Sequence, residues 1–277
     1  MADTAFETQS NDRGKAKSKD LDKERCLRLE AAYSRSDCVI VQPSCSELAL
    51  AASGMIAAAS LICIQERGAF NLALAGGSTP GPVYELLAED PDVDWKRTRV
   101  FWSDERCVPP EHNDSNYRMA LDTLLDRLPQ SPGIVARMPG ELPPEQAASA
   151  YEKTIRRVVP ADESGIPRFD LILLGMGDDG HTASLFPGSE ALKVTDRLVT
   201  ADYVSRFKAY RLTFTYPLLN AGRHLLILVS GASKASTLNA VLKGPHRPNA
   251  LPVQGVQPAT GRLRWLVDAD AAQCIQQ

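Results

Sequence analysis

From about residue 38 onward, short apolar runs of strand length alternate with longer segments whose apolar positions recur at helical spacing. The runs over 38–42, 71–75, 99–103, 170–175, 211–215, 225–230 and 263–267 are the predicted strands. The segments over 45–67 (opening near Ser44), 81–88, 115–128, 144–158 and 233–242 are the predicted helices. Strand and helix in alternation predict βα units around a mainly parallel sheet, an α/β fold. In open sheets of this kind ligands bind beyond the carboxyl ends of the strands. Residues 1–30 break the pattern: they are rich in Asp, Lys, Arg, Ser and Asn and poor in large apolar side chains, so they can bury little surface to offset their ordering entropy. The expected organisation is a flexible N-terminal arm over 1–30 followed by one α/β domain over 31–277, with no internal repeat.

Composition supports that reading and removes some functions. A chain of 277 residues with 44% hydrophobic content has the apolar mass for one sizeable core. The formal net charge is only -3, so no overall field concentrates nucleic acid or an anionic membrane around the protein, and any phosphate is expected to be met locally. Six cysteines are scattered without CxxC pairing and read as reduced thiols. Asp3 and Glu7, with no apolar stretch around them, argue against a secretory signal, and no later apolar run reads as the ~20 residues that cross a bilayer. The cytosol is the expected setting, with a monomer or small homo-oligomer as the expected assembly.

Four polar clusters lie at predicted strand ends. The run 72–75 leads into Gly76-Gly77-Ser78-Thr79-Pro80, where close-approaching backbone, free N–H groups at a helix start and two hydroxyls suit an anion. The same residues also suit a tight turn with Ser or Thr as N-cap. Ser103-Asp104-Glu105-Arg106 places a carboxylate beside a guanidinium, either a base-and-phosphate clamp or a surface ion pair, with Ser115 soon after as a ligand or a helix cap. The fully apolar 171–174 ends in Gly175-Met176-Gly177-Asp178-Asp179-Gly180-His181, presenting the one side chain whose ordinary pKa of about 6.5 suits proton transfer at neutral pH. His181 is the expected general base. Asp and His without a second His or Cys make a poor transition-metal set, so no metal is expected. In the fourth cluster Ser230-Gly231-Ala232-Ser233 leads to Lys234, a point charge for the same phosphate or a solvated helix lysine.

Taken together, the motifs 75–80, 103–109, 114–116 and 175–187, in that order, resemble the glucosamine-6-phosphate isomerase and 6-phosphogluconolactonase superfamily, and within it the lactonase branch. The resemblance runs from about Val39 to the C-terminus. It implies a modified Rossmann-like, mainly parallel sheet with helices on both faces. It further implies hydrolysis of a phosphorylated sugar lactone without a cofactor, in the oxidative pentose phosphate pathway. Carried onto this chain, it makes His181 the general base and Asp104 an acidic partner near it. Arg106 and Lys234 then hold the phosphate with Gly76, Gly77, Ser78 and Thr79, and Asp179 and Gly180 complete the substrate loop. The chain departs from the pattern at 205–210, where similar lactonases carry Lys-Pro-Pro, and this leaves Lys208 and Arg211 without a matched role.

Three other functions fit less well. Deaminases and isomerases of this fold continue from the Gly-His element as Phe-Asn-Glu-Pro, whereas this chain has Ser184-Leu185-Phe186-Pro187. A non-catalytic sugar-phosphate sensor would need a partner module that no segment here resembles. A nicotinamide dehydrogenase would need the GxGxxG fingerprint, and the glycine loop lacks it.

Overall fold

Seven parallel strands form the centre of the molecule, in the order β1-β10-β9-β6-β2-β3-β5. The computed structural model describes residues 39–275. The strands are β1 (Val39–Gln42), β2 (Phe70–Leu74), β3 (Thr98–Trp102), β5 (Ile134–Val135), β6 (Leu171–Gly175), β9 (His224–Val229) and β10 (Arg262–Asp268). A second, antiparallel sheet of three strands joins β4 (Asp104–Arg106), β8 (Ala209–Phe214) and β7 (Val199–Val204) in the order β4-β8-β7. The helices are α1 (Cys45–Arg67), α2 (Gly81–Glu89), α3 (Asn116–Thr123), α4 (Pro144–Val158), α5 (Tyr216–Ala221) and α6 (Ala235–Lys243). The arm expected over 1–30 lies outside the described residues.

Local chemistry explains most boundaries. Ser44 caps α1, its hydroxyl accepting from Glu47 N at 3.3 Å, and Gly68 stops the helix in the left-handed region at φ 77, donating to the Ile64 carbonyl. α4 opens with Pro144, whose fixed φ and missing N–H suit the first helical position. The helix expected over 115–128 ends at Thr123, because Leu124 leaves helical geometry at φ -129 and the chain tightens into a 3-10 turn over Leu125–Arg127 before Pro129. The helix expected from 233 starts at Ala235, after a 3-10 turn over Ala232–Lys234.

Two expectations need correction. The strand expected over 211–215 is β8, and it belongs to the antiparallel sheet rather than the main one. It follows β7 after only residues 205–208, and a connection that short permits only an antiparallel return. The apolar run of α1, read as too short to cross a bilayer, is a helix of 23 residues containing an 18-residue stretch of mean hydropathy 1.9, long and apolar enough by length and composition. Its apolar surface is spent inside the protein: 67% of that stretch is buried, and the helix packs on α2, β2 and β10.

All five residues of β2 are buried, as are four of the five in β6, which is the signature of strands covered on both faces. Alternation sorts the side chains into two layers. Ala73, Phe101, Ile172 and Ile227 join one continuous cluster with α4, α5, α6 and β8, while Leu72, Leu74, Val100 and Leu228 point toward the opposite side. Phe101 meets Phe169 edge-on at 5.1 Å, and Tyr151 stacks on Phe214 at 6.2 Å.

Winding order decides where a ligand is held. From β2 the chain proceeds outward through β3 to β5, and from β6 it proceeds the other way through β9 to β10, so the order reverses between neighbours β2 and β6. A crevice opens at such a reversal beyond the carboxyl ends. Two buried tyrosines hold the carboxyl ends of β2 and its neighbour β3. Tyr84 of α2 both accepts from Ala75 N at 2.9 Å and donates to its carbonyl at 2.7 Å, and Tyr151 of α4 does the same for Trp102 at 2.9 and 3.1 Å. Tyr84→Phe leaves both polar groups of Ala75 without that partner inside the fold, and is expected to lower unfolding free energy by about 1–3 kcal/mol in a urea titration.

Candidate active site

The crevice holds a cavity of about 440 Å³ lined by Gly76, Gly77, Ser78, Thr79, Asp104, Arg106, His181 and Lys234, so three strand-end loops and the start of α6 converge as the sequence predicts. Asp179 and Gly180, expected to contact substrate, do not line it. Gly180 forms the turn of its loop, donating to the Gly177 carbonyl at 3.0 Å with φ 78, and it faces Leu251 rather than the crevice.

Asp179 has a different place, behind the histidine. Its Oδ1 lies 2.6 Å from His181 Nδ1 and also accepts from His181 N at 3.1 Å. With the Nδ1 proton held by the carboxylate, the Nε2 lone pair is left to act on a ligand. The hydrogen bond from His181 holds the Asp179 carboxyl down at about 2, so it is an anion at neutral pH. Arg206 adds a longer contact, Nη1 to Asp179 Oδ2 at 3.2 Å. Phe186 packs on the far side of the imidazole, ring centroids 4.4 Å apart and 32° from parallel. Ring position and tautomer are thus set by a carboxylate, an aromatic face and the close backbone of Gly177.

The expectation placed Asp104 beside His181 as its acidic partner; the ring donates its hydrogen bond to Asp179 instead. Asp104 shares the cavity, but its carboxylate accepts from Ser184 Oγ at 2.7 Å and from Asn116 Nδ2 at 3.3 Å. Glu105 next to it is a scaffold. Buried, it accepts from the N–H groups of Arg106, Asn116 and Tyr117 at 2.7–2.8 Å and from Ser115 Oγ at 3.0 Å, tying β4 to the start of α3. Burial pushes its carboxyl above the ordinary range. Ser115 is an N-cap, accepting from Arg118 N at 3.1 Å, so here the plain structural role applies. In the glycine loop the opposite holds: α2 has no side-chain cap, which leaves the hydroxyls of Ser78 and Thr79 at the cavity wall free of that task.

Cationic groups rim the cavity. Lys234 forms an ion pair with Asp178, whose carboxyl it holds below the ordinary range, and Arg106 donates to the Asp114 carbonyl. Arg211 pairs in register with Arg106 across β4 and β8, and its guanidinium lies 5.3 Å from the Phe207 ring centroid. Burial, then the Arg106 charge, lowers the Arg211 pKa. Lys208 lies in the β7–β8 turn with φ 49 and is not part of the lining. The contribution of Arg206 was not singled out by the sequence, because it returns to the site only through a hairpin whose first strand, β7, had no predicted counterpart.

Residues 43–265 match the family described as glucosamine-6-phosphate isomerases/6-phosphogluconolactonase, and the chain belongs to that family. Within it, relatives at 34–44% identity are lactonases, or probable lactonases, by name. The 6-phosphogluconolactonase of Synechocystis sp. is 44% identical over 214 residues, covering 77% of this chain and 88% of that protein. A probable 6-phosphogluconolactonase of Arabidopsis thaliana is 38% identical over 249 residues, covering 86% and 93%. The solved structure of 6-phosphogluconolactonase from Trypanosoma brucei superposes with a TM-score of 0.75 at 29% identity, over 87% of this chain and 99% of that one.

Proposed function

We propose that this protein hydrolyses 6-phospho-D-glucono-1,5-lactone to 6-phosphogluconate, the lactone-opening step of the oxidative pentose phosphate pathway, in the cytosol. The observation that carries the reading is His181, backed by Asp179 at 2.6 Å, lining a cavity shared with Arg106, Lys234 and the 76–79 loop. Lactonase names among relatives at 38–44% identity point the same way.

The geometry supports the following course of catalysis. The substrate phosphate sits against Arg106, Lys234 and the N–H groups at the start of α2, which fixes the lactone carbonyl relative to His181. His181 Nε2 takes a proton from water as the water oxygen bonds to the carbonyl carbon and the C=O electrons move onto oxygen. Collapse restores the carbonyl and breaks the ring C–O bond. The imidazolium returns its proton to the departing ring oxygen, which leaves as a hydroxyl, and the new carboxylic acid ionises into solvent. Asp179 stabilises the imidazolium between the two transfers without itself taking the proton.

The test is turnover of freshly prepared lactone with the spontaneous opening rate subtracted. Ammonia release from glucosamine 6-phosphate at a comparable rate would overturn the reading in favour of a deaminase; the aromatic ring of Phe186 on His181, where the Phe-Asn-Glu-Pro pattern of such enzymes has its carboxylate, supports the lactonase. Asp179→Asn is expected to lower kcat by roughly 10²–10⁴-fold, since the amide favours the wrong ring tautomer. For wild type, the folded pKa of Asp179 lies below its unfolded value of about 3.9. Its contribution to stability is therefore fully present above about pH 4 and lost as pH falls through about 2, so acid melts of the Asn variant should lack that component.

A further inference from the structure

At the edge of the sheet opposite the catalytic cavity, four arginines gather where neighbouring strands begin. Arg67 ends α1 just ahead of β2, Arg99 is the second residue of β3, Arg168 precedes β6, and Arg223 immediately precedes β9. Because the strands are parallel, these starts share one edge, and the four side chains line a cavity of about 100 Å³ with Asn71 and Asp170.

The negative charge present does not match them. Asp170, its side chain 2% exposed, accepts from Arg67 Nε at 3.0 Å and from Asn71 N and Nδ2, both at 2.8 Å, while Arg223 Nε approaches no nearer than 3.6 Å. Glu66 pairs with Arg67 from the exposed side. Arg99 donates to the Val158 carbonyl and Arg168 to the Thr260 hydroxyl, each at 2.9 Å, so both guanidiniums meet neutral acceptors. The Nε atoms of Arg168 and Arg223 are buried without a hydrogen-bond acceptor. Neighbouring groups register the surplus. Burial, then the charges of Arg67 and Arg168, lowers the Arg223 pKa; burial, then Arg262 and Arg264, pushes the His224 imidazole down to about 4.

Half-buried guanidiniums crowded together with unused donors are costly unless an anion completes them. Their planar forks match a tetrahedral oxyanion, each oxygen taking two donors. We infer that this cavity is a second anion site, separate from the catalytic one, which binds a single oxyanion of the phosphate class between Arg99, Arg168 and Arg223. Its size admits the phosphate group itself, so the carbon skeleton of a phosphate ester would extend into solvent.

Titration calorimetry of the full chain with inorganic phosphate tests this. An Arg106→Ala/Lys234→Ala variant silences the catalytic cavity and is expected still to bind one phosphate. Adding Arg168→Gln or Arg223→Gln to it should weaken that binding about tenfold or more, the loss of one charge-assisted bond. Arg168→Gln alone should leave lactone turnover unchanged, which also shows that the variant folds, and Arg99→Gln serves as an independent second removal. Tighter binding of orthophosphate than of an alkyl phosphate assigns the free ion, and the reverse order assigns the phosphate group of a larger ligand; either supports the site. Loss of all phosphate binding in the Arg106→Ala/Lys234→Ala variant, or indifference to Arg99→Gln, Arg168→Gln and Arg223→Gln, overturns it. Neither result bears on the lactonase reading.

Discussion

Replacing His181 with alanine is expected to lower kcat for lactone opening by about 10²–10⁴-fold, the range general-base catalysis contributes. KM should move only a few-fold, because Arg106, Lys234 and the 76–79 loop still hold the phosphate, and losing an interaction made only in the transition state leaves ground-state binding in place. The pH profile supplies a readout that a merely structural histidine would not move. In wild type the rate should fall on the acid side with a single protonation, since a protonated Nε2 has no lone pair for water. That limb should vanish in the variant, which leaves the slow, buffer-dependent opening the substrate shows unaided. Stability should change little, as the side chain is 28% exposed and its removal exposes no large apolar surface. Near-wild-type turnover in the alanine variant would remove the imidazole from the mechanism and leave Asp104, a carboxylate at the cavity wall, as the group to test.

Much of this arrangement is legible in the chain because local rules and tertiary structure agree along the parallel sheet. A strand buried on both faces is written mostly in apolar residues, and it ends where polar residues resume, so the runs at 71–75, 170–175 and 225–230 announce both β2, β6 and β9 and the loops that follow them. Since a reversal in winding brings the carboxyl ends of β2 and β6 together, the glycine loop and the histidine loop had to meet. The antiparallel sheet was hidden for the opposite reason. β4 is Asp104-Glu105-Arg106, three charged residues whose pairing with β8 comes from position rather than pattern, and nothing local distinguishes it from the loop it was read as. With β4 and β7 unseen, the return of Arg206 to Asp179 was unseen too.

The identity of the acid behind the histidine was a subtler question, because three aspartates were available and resemblance favoured Asp104. Separation along the chain decides it. Asp179 lies two residues before His181 in a loop closed by Gly177 N donating to the His181 carbonyl at 2.9 Å, and that turn folds the carboxylate back onto both the backbone N–H and the ring. Asp104 arrives from another strand and is engaged by Ser184 and Asn116, which fix it as part of the wall. Asp178 points its charge at Lys234. Each of the three adjacent acids therefore has a different partner, and the local loop geometry assigns them where composition alone could not.

The same loop yields the second large effect. Gly177→Ala is expected to cost activity by about 10²-fold or more with little loss of stability. A Cβ on residue 177 would fall 2.0 Å from His181 Nδ1, 2.1 Å from its Cε1 and 2.8 Å from Asp179 Oδ1, so the methyl group and the histidine–aspartate pair cannot occupy the same space. Gly177 is not among the residues with positive φ, and its backbone geometry suits alanine; the conflict lies in the side chains of the dyad alone. The ring must give way, and a displacement of about 1 Å in a catalytic group costs on the order of 10²-fold. Gly180→Ala is the control three residues away. There φ is 78 and the new atom meets Leu251 rather than the dyad, so a left-handed alanine should cost about 1–2 kcal/mol of stability with a smaller change in kcat per folded molecule. Comparing kcat with thermal or urea midpoints for the two variants separates the effects. If Gly177→Ala turned over at the wild-type rate, the ring would not need the position that Asp179 gives it, and the tautomer argument would fall with it.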